Sequence, residues 1–139
     1  METKTATDLT ILMIEDDRID VMVVQRLMCR LSIDLPIVHV GNGEEALELL
    51  RTPLALPRLT PPYVIVLDIN MPRMSGFEFL DEIAKDGTFT EVPIFILSTS
   101  TNVRDLRAAR RHSIHGYFVK PITATELTEV IGSVGSNAA

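Results

Sequence analysis

Asp68 ends an apolar, β-branched run within VIVLDINMPRMSG (residues 64–76) and is followed by a polar loop containing Pro72 and Gly76. A carboxylate carried by a buried strand into a loop suits nucleophilic chemistry. In open α/β sheets, reactive groups collect outside the carboxyl ends of the strands. Three other strand-like runs end in polar residues of a matching kind: TILMI (Thr10–Ile14) in Glu15, Asp16 and Asp17, PIFIL (Pro93–Leu97) in Ser98, and GYFV (Gly116–Val119) in Lys120. Parallel strands bring all of these to one edge. Carboxylates crowded there raise one another's pKa unless a cation joins them. Oxygen donors with no His or Cys at ligand spacing point to Mg²⁺ and away from zinc or iron. A carboxylate can accept a phosphoryl group as an acyl phosphate. That transfer needs its equatorial oxygens neutralised more than it needs a strong nucleophile. Mg²⁺, the Lys120 ammonium and the Ser98 hydroxyl would supply this around Asp68. No general base for a second substrate is evident, so the site suits phosphorylation of the chain itself.

The elements that must hold these groups follow from local pattern. IVHV (Ile37–Val40) reads as a further strand, giving five strands that alternate with five helices. This alternation demands a parallel sheet with helices on both faces and right-handed crossovers. In the first helix, Ile19, Val23, Leu27 and Leu31, with Val24 and Met28 beside them, are expected to form the buried stripe. Asn42 with Glu45, Ser75 with Glu78, and Thr123 with Glu126 have capping-box spacing and open three more helices. The helix after Ser75 is expected to bury Phe77, Leu80 and Ile83 or Ala84. A helix from about Asn102 to His112 has a thin apolar face, Val103, Leu106 and Ala109, and carries Arg104, Arg107, Arg110 and Arg111. RTPLALPRLTPP (residues 51–62) contains four prolines and is expected to be a surface loop.

A chain of 139 residues fits one domain, 1–139, with a core from about 9 to 134 between flexible ends. Its 46% hydrophobic and 23% charged residues are those of a globular protein. A net charge of -6 argues against direct nucleic-acid binding. Cys29 is the single cysteine, so no internal disulfide forms, which suits a reducing cytosol. No apolar run reaches membrane-spanning length, so a cytoplasmic location without a membrane partner is expected.

The pieces ILMIEDD, VLDINMPRMSG, PIFILSTS and GYFVKP, in that order and at matching separations, make the chain resemble the receiver domains of two-component response regulators from about Thr10 to Val134. The resemblance implies an α/β fold, the (βα)5 doubly wound parallel sheet with flavodoxin-like strand order 2-1-3-4-5. It implies that Asp68 is the phosphoacceptor, and that Glu15, Asp16, Asp68 and the Asn70 backbone carbonyl form the Mg²⁺ site. Asp16 would ligate directly and Glu15 through water. Ser98 would be the switching hydroxyl, Tyr117 its coupled aromatic and Lys120 the phosphate cation, with Lys120–Pro121 cis. The implied function is that of a stand-alone response regulator. A sensor histidine kinase or a histidine phosphotransfer protein donates to Asp68 in a Mg²⁺-dependent reaction. A population shift across the fourth helix, fifth strand and fifth helix then carries the signal to a downstream protein target. Catalysis beyond the chain's own phosphorylation and dephosphorylation is not implied. IEDD, the long proline-rich loop and NMPRMSG further resemble stand-alone regulators paired with phytochrome-type light-sensing kinases. The family more often has threonine at Ser98 and a small residue at Thr99; the larger Thr99 is expected to shield the acyl phosphate from water.

Rival classes fit less well. A haloacid-dehalogenase-like phosphatase needs a second Asp two residues after its nucleophile, where this chain has Asn70. A flavodoxin-like binding module needs a hydroxyl- and glycine-rich phosphate loop after the first strand, where this chain has three acids. The alternative is a phosphorylation-independent protein-interaction module of the same fold. The four arginines form either a solvated helix face or a docking face for an acidic partner or a second copy. An isologous homodimer would set them against Asp105, Glu126 or Glu129.

Overall fold

The computed structural model describes residues 9–52, 59 and 62–137; the expectations for the chain ends and most of the proline-rich loop lie outside these described residues. Five strands, β1 (Thr10–Ile14), β2 (Ile37–Val40), β3 (Tyr63–Leu67), β4 (Ile94–Ser98) and β5 (Gly116–Val119), form one parallel sheet in the order β2-β1-β3-β4-β5. The helices between and after them are α1 (Arg18–Arg30), α2 (Gly43–Arg51), α3 (Gly76–Ala84), α4 (Val103–Arg110) and α5 (Ala124–Asn137). The expected architecture and strand order are therefore those of the chain. β4 runs one residue beyond the apolar pattern, because Ser98 still pairs with Val119 of β5.

Side chains alternate across each strand, so the sheet carries two cores. Leu12, Ile14, Ile65, Leu67 and Ile96 share one with Phe79 of α3. Ile11, Met13, Val64, Val66 and Phe95 share the other with residues of α1 and α5. The capping signals act as their spacing predicts. Ser75 Oγ accepts the Glu78 N–H while Glu78 accepts the Ser75 N–H, and Thr123 and Glu126 exchange the same pair. At α2, Asn42 accepts from Glu45 N–H, but the returning Glu45 carboxylate takes the Gly41 N–H instead.

Three expected helix faces need correction; in α4 Ala109 is buried, but Val103 is 58% exposed because it sits in the first turn, away from the sheet. In α1 the buried residues are Val21, Val24 and Met28, while Ile19 is 67% exposed and Val23 and the C-cap Leu31 each keep more than a third of their surface in solvent. Apolar residues occupy a wide arc of this helix, so periodicity alone leaves its rotation open. Tertiary contacts choose the phase that turns Asp20 toward the sheet edge. In α3, Phe79 is wholly buried and Phe77 only partly so. Phe77 packs at the margin of the same core as Phe79, where it borders a cavity together with Leu80 and Ile83.

Candidate functional site

Strand register assembles the carboxyl-end residues. Ile14 lies opposite Leu67, so the next residues of the two strands, Glu15 and Asp68, are neighbours, and Asp68 N–H donates to the Ile14 carbonyl. Carboxylate oxygens of Glu15, Asp16 and Asp68 all lie within 4.8 Å of one another. Glu15 and Asp68 are buried and Asp16 is exposed. Asp68 Oδ1 accepts the Asn70 N–H at 3.2 Å, and Glu15 Oε2 accepts the Asp17 N–H at 3.3 Å. Beneath the loop, Gly76 closes against the carboxylate's own backbone: a Cβ there would stand 2.6 Å from the Asp68 carbonyl oxygen. Only glycine lets α3 begin this close to Asp68.

Lys120 enters from the end of β5 across a cis Lys120–Pro121 bond. Its Nζ lies 2.9 Å from Glu15 Oε1 and 3.6 Å from Asp68 Oδ2. Its shortest contact, 2.6 Å, is to Asp20 Oδ2 in the first turn of α1. In the sequence Asp20 follows Asp17 by three residues, a spacing that marks only helix initiation, and no strand-end rule reaches a residue inside a helix.

Burial pushes the Glu15 carboxyl up to about 7; its bond to Lys120 opposes the shift and the Asp68 charge adds to it. Asp68 is also raised by burial, against the Asn70 N–H and the Lys120 charge. Burial alone would lower Lys120, but its bonds to Asp20 and Glu15 and the Asp68 charge hold the ammonium above the usual lysine range. The three converging carboxylates, without nitrogen or sulfur donors, fit a hard divalent cation of the Mg²⁺ type.

Ser98, at the end of β4, is wholly buried. Its Oγ accepts the Ser100 N–H at 3.2 Å, while the Tyr117 hydroxyl donates to the Ser100 carbonyl at 2.9 Å. One residue thus links the hydroxyl to the aromatic. Ser100 is itself tied to α4, its Oγ donating to Asp105 Oδ2 at 2.5 Å and accepting the Asn102 N–H. The sequence reading passed over Ser100, since a serine in a polar loop carries no distinguishing signal. Asp105 bonds Ser100, whereas Arg104, Arg107, Arg110 and Arg111 are exposed. Thr99 is also exposed and borders a cavity with Asp20 and Lys120.

The sequence profile of the "Response regulator receiver domain" family matches residues 11–132. A probable methanogenesis regulatory protein, FilR2 of Methanothrix harundinacea, is 29% identical over 124 residues, spanning 89% of this chain and 79% of the relative. Response regulator Rcp1 of Synechocystis is 27% identical over 126 residues, spanning 91% of this chain and 86% of the relative. The crystal structure of manganese-bound Rcp1 matches with a TM-score of 0.68 over 91% of each chain. That of the phosphorylated cyanobacterial phytochrome response regulator RcpA matches with a TM-score of 0.77 and 27% identity, over 96% of this chain and 98% of the other. With the profile covering most of its length, the chain belongs to the response regulator receiver family.

Proposed function

We propose that this member of the receiver family is a single-domain, stand-alone response regulator that accepts a phosphoryl group on Asp68 from a histidine kinase or a histidine phosphotransfer protein. The observation that carries this reading is the convergence of Glu15, Asp16 and Asp68 with Lys120 at one sheet edge. An Asp68 carboxylate oxygen attacks phosphorus as the donor's P–N bond breaks, and the leaving imidazole takes its proton from solvent. Glu15, Asp16, Asp68 and the Asn70 carbonyl would hold Mg²⁺, which supplies charge neutralisation at the phosphoryl oxygens and at the crowded acids. Lys120 neutralises a second oxygen. Ser98 donates its hydroxyl proton to a third, and in turning to do so weakens the bond its Oγ accepts from Ser100 N–H. That frees the Ser100 peptide, and with it the carbonyl that holds Tyr117. The signal thereby reaches α4, β5 and α5, where a downstream protein, or a second copy using the four exposed arginines, would read it.

Manganese in the Rcp1 structure and phosphorylation in the RcpA structure support the metal and the acceptor. The likeness to RcpA supports a phytochrome-type kinase as the donor. A cytoplasmic setting follows from that kinase chemistry; among the described residues, no helix is long and apolar enough to cross a membrane. Incubation with acetyl phosphate and Mg²⁺, followed by intact-mass measurement, tests the assignment. One added phosphoryl group is expected on the wild-type chain and none on Asp68→Asn. An unchanged wild-type mass, or addition to Asp68→Asn, would favour the phosphorylation-independent interaction module.

A further inference from the structure

The nearest partner of Lys120 is not one of the converging acids. Its ammonium has three protons; Asp20 at 2.6 Å and Glu15 at 2.9 Å take two of them. Asp68, at 3.6 Å, is beyond hydrogen-bond length. Asp20 stands outside the Glu15–Asp16–Asp68 group and belongs to α1, which packs on a different face of the sheet from α3. Beside this ion pair lies a cavity of about 270 Å³ bordered by Val23, Leu97, Thr99 and Ile122. On the side of α1 the lysine stem therefore borders open space instead of close packing.

We propose that Asp20 is a positioning residue that competes with the phosphoryl group for Lys120. This inference rests on the reading of Asp68 as phosphoacceptor. Before transfer, Asp20 holds the ammonium toward α1. After transfer, a phosphoryl group on Asp68 offers a denser negative charge, which draws the Lys120 ammonium from 3.6 Å toward Asp68 at the expense of its contact with Asp20. Each phosphorylation therefore weakens one partly buried ion pair, and the Asp20 charge also repels the incoming anionic donor. Asp20 slows loading of the site and sets how strongly α1 is tethered to it.

The test compares wild type, Asp20→Asn, Asp20→Glu and Asp20→Ser in acetyl phosphate and Mg²⁺, following intact mass over time, with melting temperatures taken in parallel. Asp20→Asn and Asp20→Ser are expected to load about fivefold faster, the factor set by losing one ion pair of modest strength. Asp20→Glu is expected to return toward the wild-type rate. In the unphosphorylated protein, acetic anhydride should acetylate Lys120 faster in Asp20→Asn than in wild type, read by peptide mass, because the ammonium has lost its nearest acceptor. Equal or slower loading of Asp20→Asn, with wild-type loading intact and melting temperature unchanged, overturns the competition alone. Unchanged acetylation of Lys120 would overturn it as well. A wild-type chain that never gains the phosphoryl mass overturns the receiver reading and this inference together.

Discussion

β1 and β3 are buried along nearly their whole length, whereas every residue of β5 keeps some exposure and α4 fully buries only Ala109. The first pair carries Glu15 and Asp68. The second region carries Tyr117 and the Ser100 contacts that reach Ser98. One sheet therefore has a tightly packed half that fixes charges and a thinly packed half free to answer them. The contrast has a physical logic. Acids brought this close repel one another and persist only where surrounding packing overrides the repulsion. A responding element instead needs alternatives within a few kcal/mol.

The two halves should differ most in what a lost side chain costs. Phe79 is wholly buried beneath the acid-bearing half, and Phe79→Ala should cost about 3–5 kcal/mol. Leu106 of α4 is only partly buried, and Leu106→Ala should cost about 1 kcal/mol. Urea unfolding of both variants measures the difference; equal losses would mean that the halves are packed alike.

A smaller effect concerns protons at the acid-bearing edge. With burial pushing its folded pKa up to about 7, well above the ordinary glutamate value, Glu15 keeps a proton that the unfolded chain releases. Between those values the folded state binds more protons, so the Glu15 contribution to stability falls as pH rises through this window. Cation binding must expel the same proton. Affinity for Mg²⁺ is therefore expected to rise about tenfold from pH 6 to pH 8, measured by titration calorimetry. A flat profile would show that Glu15 is already ionised at pH 6.

The same division explains what could be read from the residues beforehand. Glu15, Asp16, Asp68, Ser98 and Lys120 were legible because each follows an apolar run, and a parallel sheet brings such ends together whatever the details of packing. The strand order came from the family resemblance and the caps from local spacing. Asp20 and Ser100 were not legible as site residues. Asp20 reaches Lys120 only because α1 settles with Val21, Val24 and Met28 inward, a rotation fixed by contacts between elements distant in sequence. Ser100 matters through its backbone N–H and carbonyl, which every non-proline residue has. Phe77 and Phe79 show the same limit: both are apolar, both have helical-spacing partners, and only packing against the sheet decides that Phe79 is wholly buried and Phe77 partly so.

Amide hydrogen exchange, with and without the phosphoryl group on Asp68, tests the division of labour most directly. Protection is expected to change from Ser98 through β5 and α4 while the β1 and β3 amides exchange as before. Equal changes in β1 and β3, or none around Ser100 and Tyr117, would contradict it.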